Sequence, residues 1–174
     1  GAEGTFFARG IDVLPKLLTD IMFEAARHDG TSVVEVLQNC VIFNDGAYEY
    51  IANRQHRDDR TILLEHGKPM LFGKNKDKGL RWNLNSLEVI TLGENGMGIN
   101  DVLVHDAHNP DPGLHLSLAK MNWPEYPVAL GVIRAAKFPT YDDLMEEQIR
   151  KIKAKSPIKC MDDLLNSGDT WEVE

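Results

Sequence analysis

The sequence predicts an α/β protein: a β-α-β unit at its start, then an α+β module of short strands with two or three helices. Two observations carry this reading. A helical apolar period is framed by two β-prone apolar runs near the start. Beyond Cys40 the pattern breaks into short strand-like runs separated by turn residues.

In order, Thr5-Phe6-Phe7-Ala8-Arg9-Gly10-Ile11 is an apolar run rich in aromatic residues, expected as a buried strand. Leu14, Leu17, Leu18, Ile21, Met22, Ala25 and Ala26 then recur at three- and four-residue steps, the stripe of an amphipathic helix. Pro15 suits its first turn, and Arg27, His28 and Gly30 suit its end. Residues 31–37 form the second strand, and strand–crossover–strand is the grammar of a parallel sheet. The unit occurs once. A lone parallel pair is marginally stable, so it reads as the tail end of a larger sheet with an apolar edge left free.

After Cys40, Asn44-Asp45-Gly46 marks a turn, residues 47–53 a short helix and residues 54–60 a polar connector. Strands are expected over 61–65, 69–72, 80–84, 87–92, 101–104 and 128–133, with a helix over 114–121. Residues 74–79 read as a hairpin loop. Thr140 is the expected N-cap of a charged helix reaching about residue 155, and residues 157–174 read as a polar tail.

Composition narrows the functional classes. Hydrophobic residues make 43% and charged residues 26%, which is globular and not disordered. A net charge of −8 argues against a nucleic-acid partner, which needs a basic face. No apolar run approaches the ~20 residues of a membrane span, and the start lacks the basic and apolar regions of a signal peptide. Cys40 and Cys160 are too few and too far apart in sequence for a disulfide framework. A cytoplasmic protein is expected.

Generic catalytic motifs are nearly absent. Gly93-Glu94-Asn95-Gly96-Met97-Gly98 lacks the spacing of a phosphate loop and reads as a turn. His105-Asp106-Ala107-His108 carries metal-ligand chemistry but no third ligand at suitable spacing, so a structural role is preferred. Lys68, Lys74, Lys76, Lys78 and Arg81 make a basic cluster, either a solvated hairpin that blocks edge pairing or a surface for an anionic partner. Cys40 is the most informative residue. Gln38 and Asn39 alone separate it from the second parallel strand, at the carboxyl edge where open α/β sheets place their sites. A core thiol is the competing reading; Cys160, in the tail, reads as a bystander.

Thr5-Phe6-Phe7-Ala8-Arg9-Gly10 and Val34-Glu35-Val36-Leu37-Gln38-Asn39-Cys40-Val41-Ile42-Phe43-Asn44-Asp45 resemble the second half of the thiamine-diphosphate domain in the β subunit of 2-oxoacid:ferredoxin oxidoreductases. The resemblance continues through Leu64-Glu65-His66-Gly67-Lys68-Pro69, Phe72-Gly73-Lys74, Val104-His105-Asp106, residues 127–134, and Ser167-Gly168-Asp169-Thr170 within 164–171, where it is to the 2-oxoglutarate-type subunits.

The resemblance implies oxidative decarboxylation of a 2-oxoacid, with 2-oxoglutarate preferred and pyruvate as the alternative. Thiamine diphosphate with magnesium, a 4Fe-4S cluster, coenzyme A and ferredoxin take part, and the cofactors carry the chemistry. It implies an α-subunit partner, an oligomer, and Cys40 as one of four cluster cysteines. The Gly-Asp-Gly magnesium–diphosphate signature and the three other cysteines do not occur in this sequence. Residues 1–46 are then expected as the end of the thiamine-diphosphate domain and 47–174 as a C-terminal module. Alone, the chain is expected to be inactive, to bind none of these cofactors, and to carry no catalytic residue. Two other classes compete: a small thiol enzyme using Cys40 with His66 or His105 as base, and a non-catalytic interaction module. The thiol enzyme predicts a depressed Cys40 pKa, and the cluster reading an ordinary thiol.

Overall fold

The computed structural model describes residues 4–84, 86–171 and 173. They form a mixed α/β protein whose residues gather into two compact units, Gly1–Phe138 and Pro139–Glu174.

The first unit begins as its sequence pattern predicts. Strand β1 (Phe6–Ile11), helix α1 (Pro15–Arg27) and strand β2 (Ser32–Leu37) form a β-α-β unit, with β1 and β2 parallel from Phe6↔Ser32 to Ile11↔Leu37. The helix forms because its apolar residues share one face: Ile21 is buried against Phe6 and Ala8 of β1. Two short helices follow, α2 (Glu49–Ala52) and α3 (Arg57–Arg60), then strands β3 (Thr61–Leu64), β4 (Leu71–Phe72), β5 (Lys78–Asn83) and β6 (Ser86–Thr91). Helix α4 (Gly113–Lys120) and strand β7 (Val128–Ala135) close the unit.

The parallel pair is not left isolated, which corrects the expectation of a lone pair, while the free apolar edge expected of the unit remains at β2, where Val33 and Val36 are exposed. The four-stranded sheet runs β2-β1-β7-β3. Strand β7 pairs antiparallel with β1 and parallel with β3, so β1 is paired on both sides. Such a pairing is non-local and leaves no trace in the local apolar period. The second sheet is a meander, β4-β5-β6. Its inner face and α4 share a core with β3 and β7, in which Ile62, Leu80, Leu118, Ala129 and Ile133 have no exposed surface. On the other side of β7, Val128 and Leu130 pack with Ile11, Leu37 and Ile51.

Three further expectations are corrected. The polar connector contains α3, whose Arg57 side chain donates to the carbonyls of Ile51 and Ala52 at the end of α2. An ionic side chain here supplies the helix-end partner that an apolar pattern does not advertise. Residues 101–104 are not a full strand. A 3₁₀ turn spans Ile99–Asp101, and a single bridge joins Val104 to Pro69. The bridge itself is made by Met70 N–H on the Leu103 carbonyl and His105 N–H on the Lys68 carbonyl, and it goes no further on the Leu103 side because Leu103 N–H turns to the Leu80 carbonyl on β5.

In the second unit Thr140 caps helix α5 (Tyr141–Lys155) as expected: its Oγ accepts from Asp143 N–H at 3.1 Å, and the Asp143 carboxylate accepts from Thr140 N–H at 3.2 Å. The tail is not wholly irregular. It folds helix α6 (Met161–Leu165), because Asp163 accepts from the N–H groups of Lys159 and Cys160. Among the described residues no helix is long and apolar enough to cross a membrane.

Candidate functional site

Cys40 sits in a loop held by a network that starts on β1. Asp12, one residue past β1, donates its N–H to the Leu37 carbonyl and accepts from Asn39 N–H at 3.2 Å. The Asn39 side chain then spans the loop, donating to Asp45 and accepting from Gly46 N–H, both at 2.9 Å. Asn44 N–H closes the turn on the Cys40 carbonyl at 2.9 Å. Asn39 is therefore committed to orienting the loop. Asp12 was not singled out from sequence, and Asp45 was read only as part of a turn; the short Asn39–Asp45 separation, bounded by Gly46, was the available signal.

The thiol lies at the carboxyl edge of β2 and is exposed, not a core residue. The backbone N–H of Phe43, and then that of Ile42, hydrogen-bond the sulfur and hold its pKa below the usual thiol range. That direction differs from the ordinary thiol expected from the cluster reading. The cause, however, is amide donors and not an imidazole. Around the sulfur, Val41, Ile42 and Phe43 are 73%, 83% and 89% exposed, an apolar tip on an acidic chain. Cys160 is exposed in the second unit, at the start of α6.

The histidines gather elsewhere. His105 is buried, donates from Nε2 to the Val132 carbonyl at 2.9 Å, and leaves Nδ1 buried without a partner. His115, which the motif reading missed, donates to the Asp106 carbonyl at 2.8 Å and accepts from Arg134 at 2.9 Å. Burial holds both imidazoles below their ordinary pKa. His66 Nδ1 accepts from Ala107 N–H at 3.3 Å and lies 3.4 Å from the Asp106 carboxylate, with the His108 ring 4.3 Å away. His108 donates to the Ala135 carbonyl at 2.7 Å. These contacts tie the 105–115 segment to β7. Among the described residues no three His, Cys, Asp or Glu side chains are grouped to hold a metal ion.

The basic cluster divides. Lys78 pairs with Asp59 at 3.1 Å, and that hydrogen bond holds the Asp59 carboxyl below its usual range. Arg81 pairs with Glu88 at 2.6 Å. Lys68, Lys74 and Lys76 line one groove, together with Asp58 and Glu65. The glycine-rich segment after β6 is a loop closed by its own backbone bonds, Gly93 N–H to Met97 O and Met97 N–H to Glu94 O.

The chain is 33% identical, over its whole length, to 2-oxoglutarate oxidoreductase subunit KorB of Mycobacterium tuberculosis (strain ATCC 25618 / H37Rv). That relative is an oxidoreductase subunit. The aligned region is 47% of it, so the chain spans about half the length of the relative it matches. No family model matches the chain, and no solved structure matches it.

Proposed function

We propose that this chain is the C-terminal part of the β subunit of a 2-oxoacid:ferredoxin oxidoreductase, and that Cys40 is its contribution to a 4Fe-4S cluster. The intact enzyme would convert a 2-oxoacid, 2-oxoglutarate in preference to pyruvate, to an acyl-CoA while reducing ferredoxin. Thiamine diphosphate with magnesium would supply the decarboxylation chemistry. The α subunit is the expected partner. Residues 1–46 would end the thiamine-diphosphate domain, and 47–174 would form the C-terminal module. The observation that carries the reading is the full-chain similarity to KorB.

The described residues do not by themselves fit a whole cluster, which is usually held by four thiolates. They offer Cys40 alone at the sheet edge, with no grouped His, Cys, Asp or Glu beside it. No reaction step is therefore derived through iron. What the chain's own residues do is narrower: Asn39 and Asp12 fix the loop, and two amides stabilise a thiolate at its tip. N–H groups donated to a thiolate raise the potential of a cluster it ligates.

The test uses the β subunit that contains this chain, expressed with its α subunit. Cys40→Ala is expected to lose cluster iron and 2-oxoglutarate-dependent ferredoxin reduction. Wild-type iron content together with a wild-type reduction rate would remove the assignment. Thiamine-dependent release of carbon dioxide is expected to survive the substitution, because that step needs no electron acceptor.

A further inference from the structure

We propose that the cavity between α4 and the β2-β1-β7 face binds a monocarboxylate with an apolar tail, its head group neutralised by Arg134. The cavity is about 450 Å³, within the range of small-molecule sites. Phe6 and Ile133 are buried in its wall, and Val33 and Leu116 are exposed at its mouth. Arg134 and His115 are the side chains that bring polar atoms to an otherwise apolar lining.

Arg134 is only 6% exposed. Its guanidinium donates to the carbonyls of Gly4 at 3.1 Å, Asn109 at 3.0 Å and Pro110 at 3.1 Å, and to Nδ1 of His115 at 2.9 Å. A guanidinium has five N–H groups, so one is left over. All four acceptors are neutral. Among the described residues no carboxylate forms an ion pair with Arg134, although buried arginines are ordinarily paired.

Charge decides the ligand class. The Phe138 ring faces the guanidinium at 5.9 Å, but a cation without a carboxylate partner and with one spare donor still answers a single negative charge. A dianionic phosphate would bring a second charge and several acceptor atoms into an apolar wall that satisfies none of them. A carboxylate suits the guanidinium, and an alkyl tail suits the lining. The site is independent of the oxidoreductase reading, because Phe6 and Val33 lie near the amino ends of β1 and β2 while Cys40 lies beyond the carboxyl end of β2.

The probe is octanoate, titrated calorimetrically into the full chain beside octanol and acetate. Octanoate is expected to saturate one site, with octanol at least about tenfold weaker and acetate silent up to about 5 mM. Arg134→Gln removes the charge but risks the fold, since four hydrogen bonds go with it. Leu116→Trp and Val33→Trp fill the mouth at exposed positions; each is expected to weaken octanoate at least about tenfold with the melting transition retained. Equal binding of octanol and octanoate, undiminished octanoate binding in both tryptophan variants, or no octanoate binding up to about 5 mM would each overturn the proposal.

Discussion

Gly131→Ala is expected to be the most damaging single-methyl insertion in the central sheet. Gly131 lies in β7, opposite Leu64 of β3 on one side and Arg9 of β1 on the other. Its φ is +101°, and a Cβ there would lie 2.6 Å from the Leu64 backbone oxygen. Two costs combine. An L-residue in this region loses about 1–2 kcal/mol. Relieving the contact requires β3 and β7 to separate locally, which weakens a buried backbone pairing by about 1–2 kcal/mol more. The sum is about 2–4 kcal/mol, or roughly 4–16 °C in the melting temperature of a domain this size. Gly96 provides the control: its φ is +75°, but nothing lies within 4 Å of its Cβ position. Gly96→Ala should therefore cost about 1–2 kcal/mol, the conformational part alone. Urea unfolding of both variants measures the difference. Equal losses, or a Gly131→Ala loss below about 1 kcal/mol, would refute the close β3–β7 approach.

Other predictions follow from the site. The pH midpoint of Cys40 carboxymethylation should lie below the ~8.5 of an unperturbed thiol, read by peptide mass analysis; a midpoint at or above that value would remove the amide hydrogen bonds from the account. Acid should destabilise the first unit through His105 and His115. Their folded pKa values lie below the unfolded 6.5, so the unfolded chain takes up protons first. This stability is complete above pH 6.5 and is lost as pH falls toward the folded values. The urea midpoint should drop as pH falls below 6.5, with a shallower drop in His115→Gln; a flat midpoint between about pH 7.5 and 5.5 would contradict it. In the assembly proposed above, reversing Lys68, Lys74 and Lys76 to Glu should slow the proposed ferredoxin reduction or weaken association with the proposed α subunit severalfold at low salt. Unchanged rates and association at low ionic strength would leave that groove a solvated surface.

The legible parts of the fold were those fixed by neighbours in sequence. The stripe Leu14–Leu17–Leu18–Ile21 specified α1, and Thr140 with Asp143 specified the start of α5. What was not legible depends on distant partners. Strand β7 has the same apolar pattern whether it pairs parallel or antiparallel, and only the folded chain lays it between β1 and β3. Arg134 lies just past the strand expected over 128–133, and nothing in its neighbours announces its acceptors, which come from two distant segments, Gly4 and the Asn109-Pro110 loop. Short helices such as α3 and α6 are set by Arg57 and Asp163 contacts, and four or five residues carry too little period to announce themselves.

The Cys40 thiol was legible by position, but its competing roles are separated by what surrounds it. A lowered pKa alone suits both a nucleophile and a metal ligand, because each works as thiolate. A thiol enzyme also needs a base to accept and return protons during turnover, within hydrogen-bond reach or through one water. The imidazoles proposed for that task are engaged elsewhere: His105 on the Val132 carbonyl and His66 on Ala107 N–H beside Asp106. Neither contributes to the state of the sulfur, which is set by the amides of Phe43 and Ile42. Fixed amide donors favour the thiolate and take up no proton themselves, which matches the needs of a ligand better than those of an acid–base cycle. The exposed Val41-Ile42-Phe43 tip argues in the same direction, since covering it with another protein surface would also exclude water from whatever Cys40 binds.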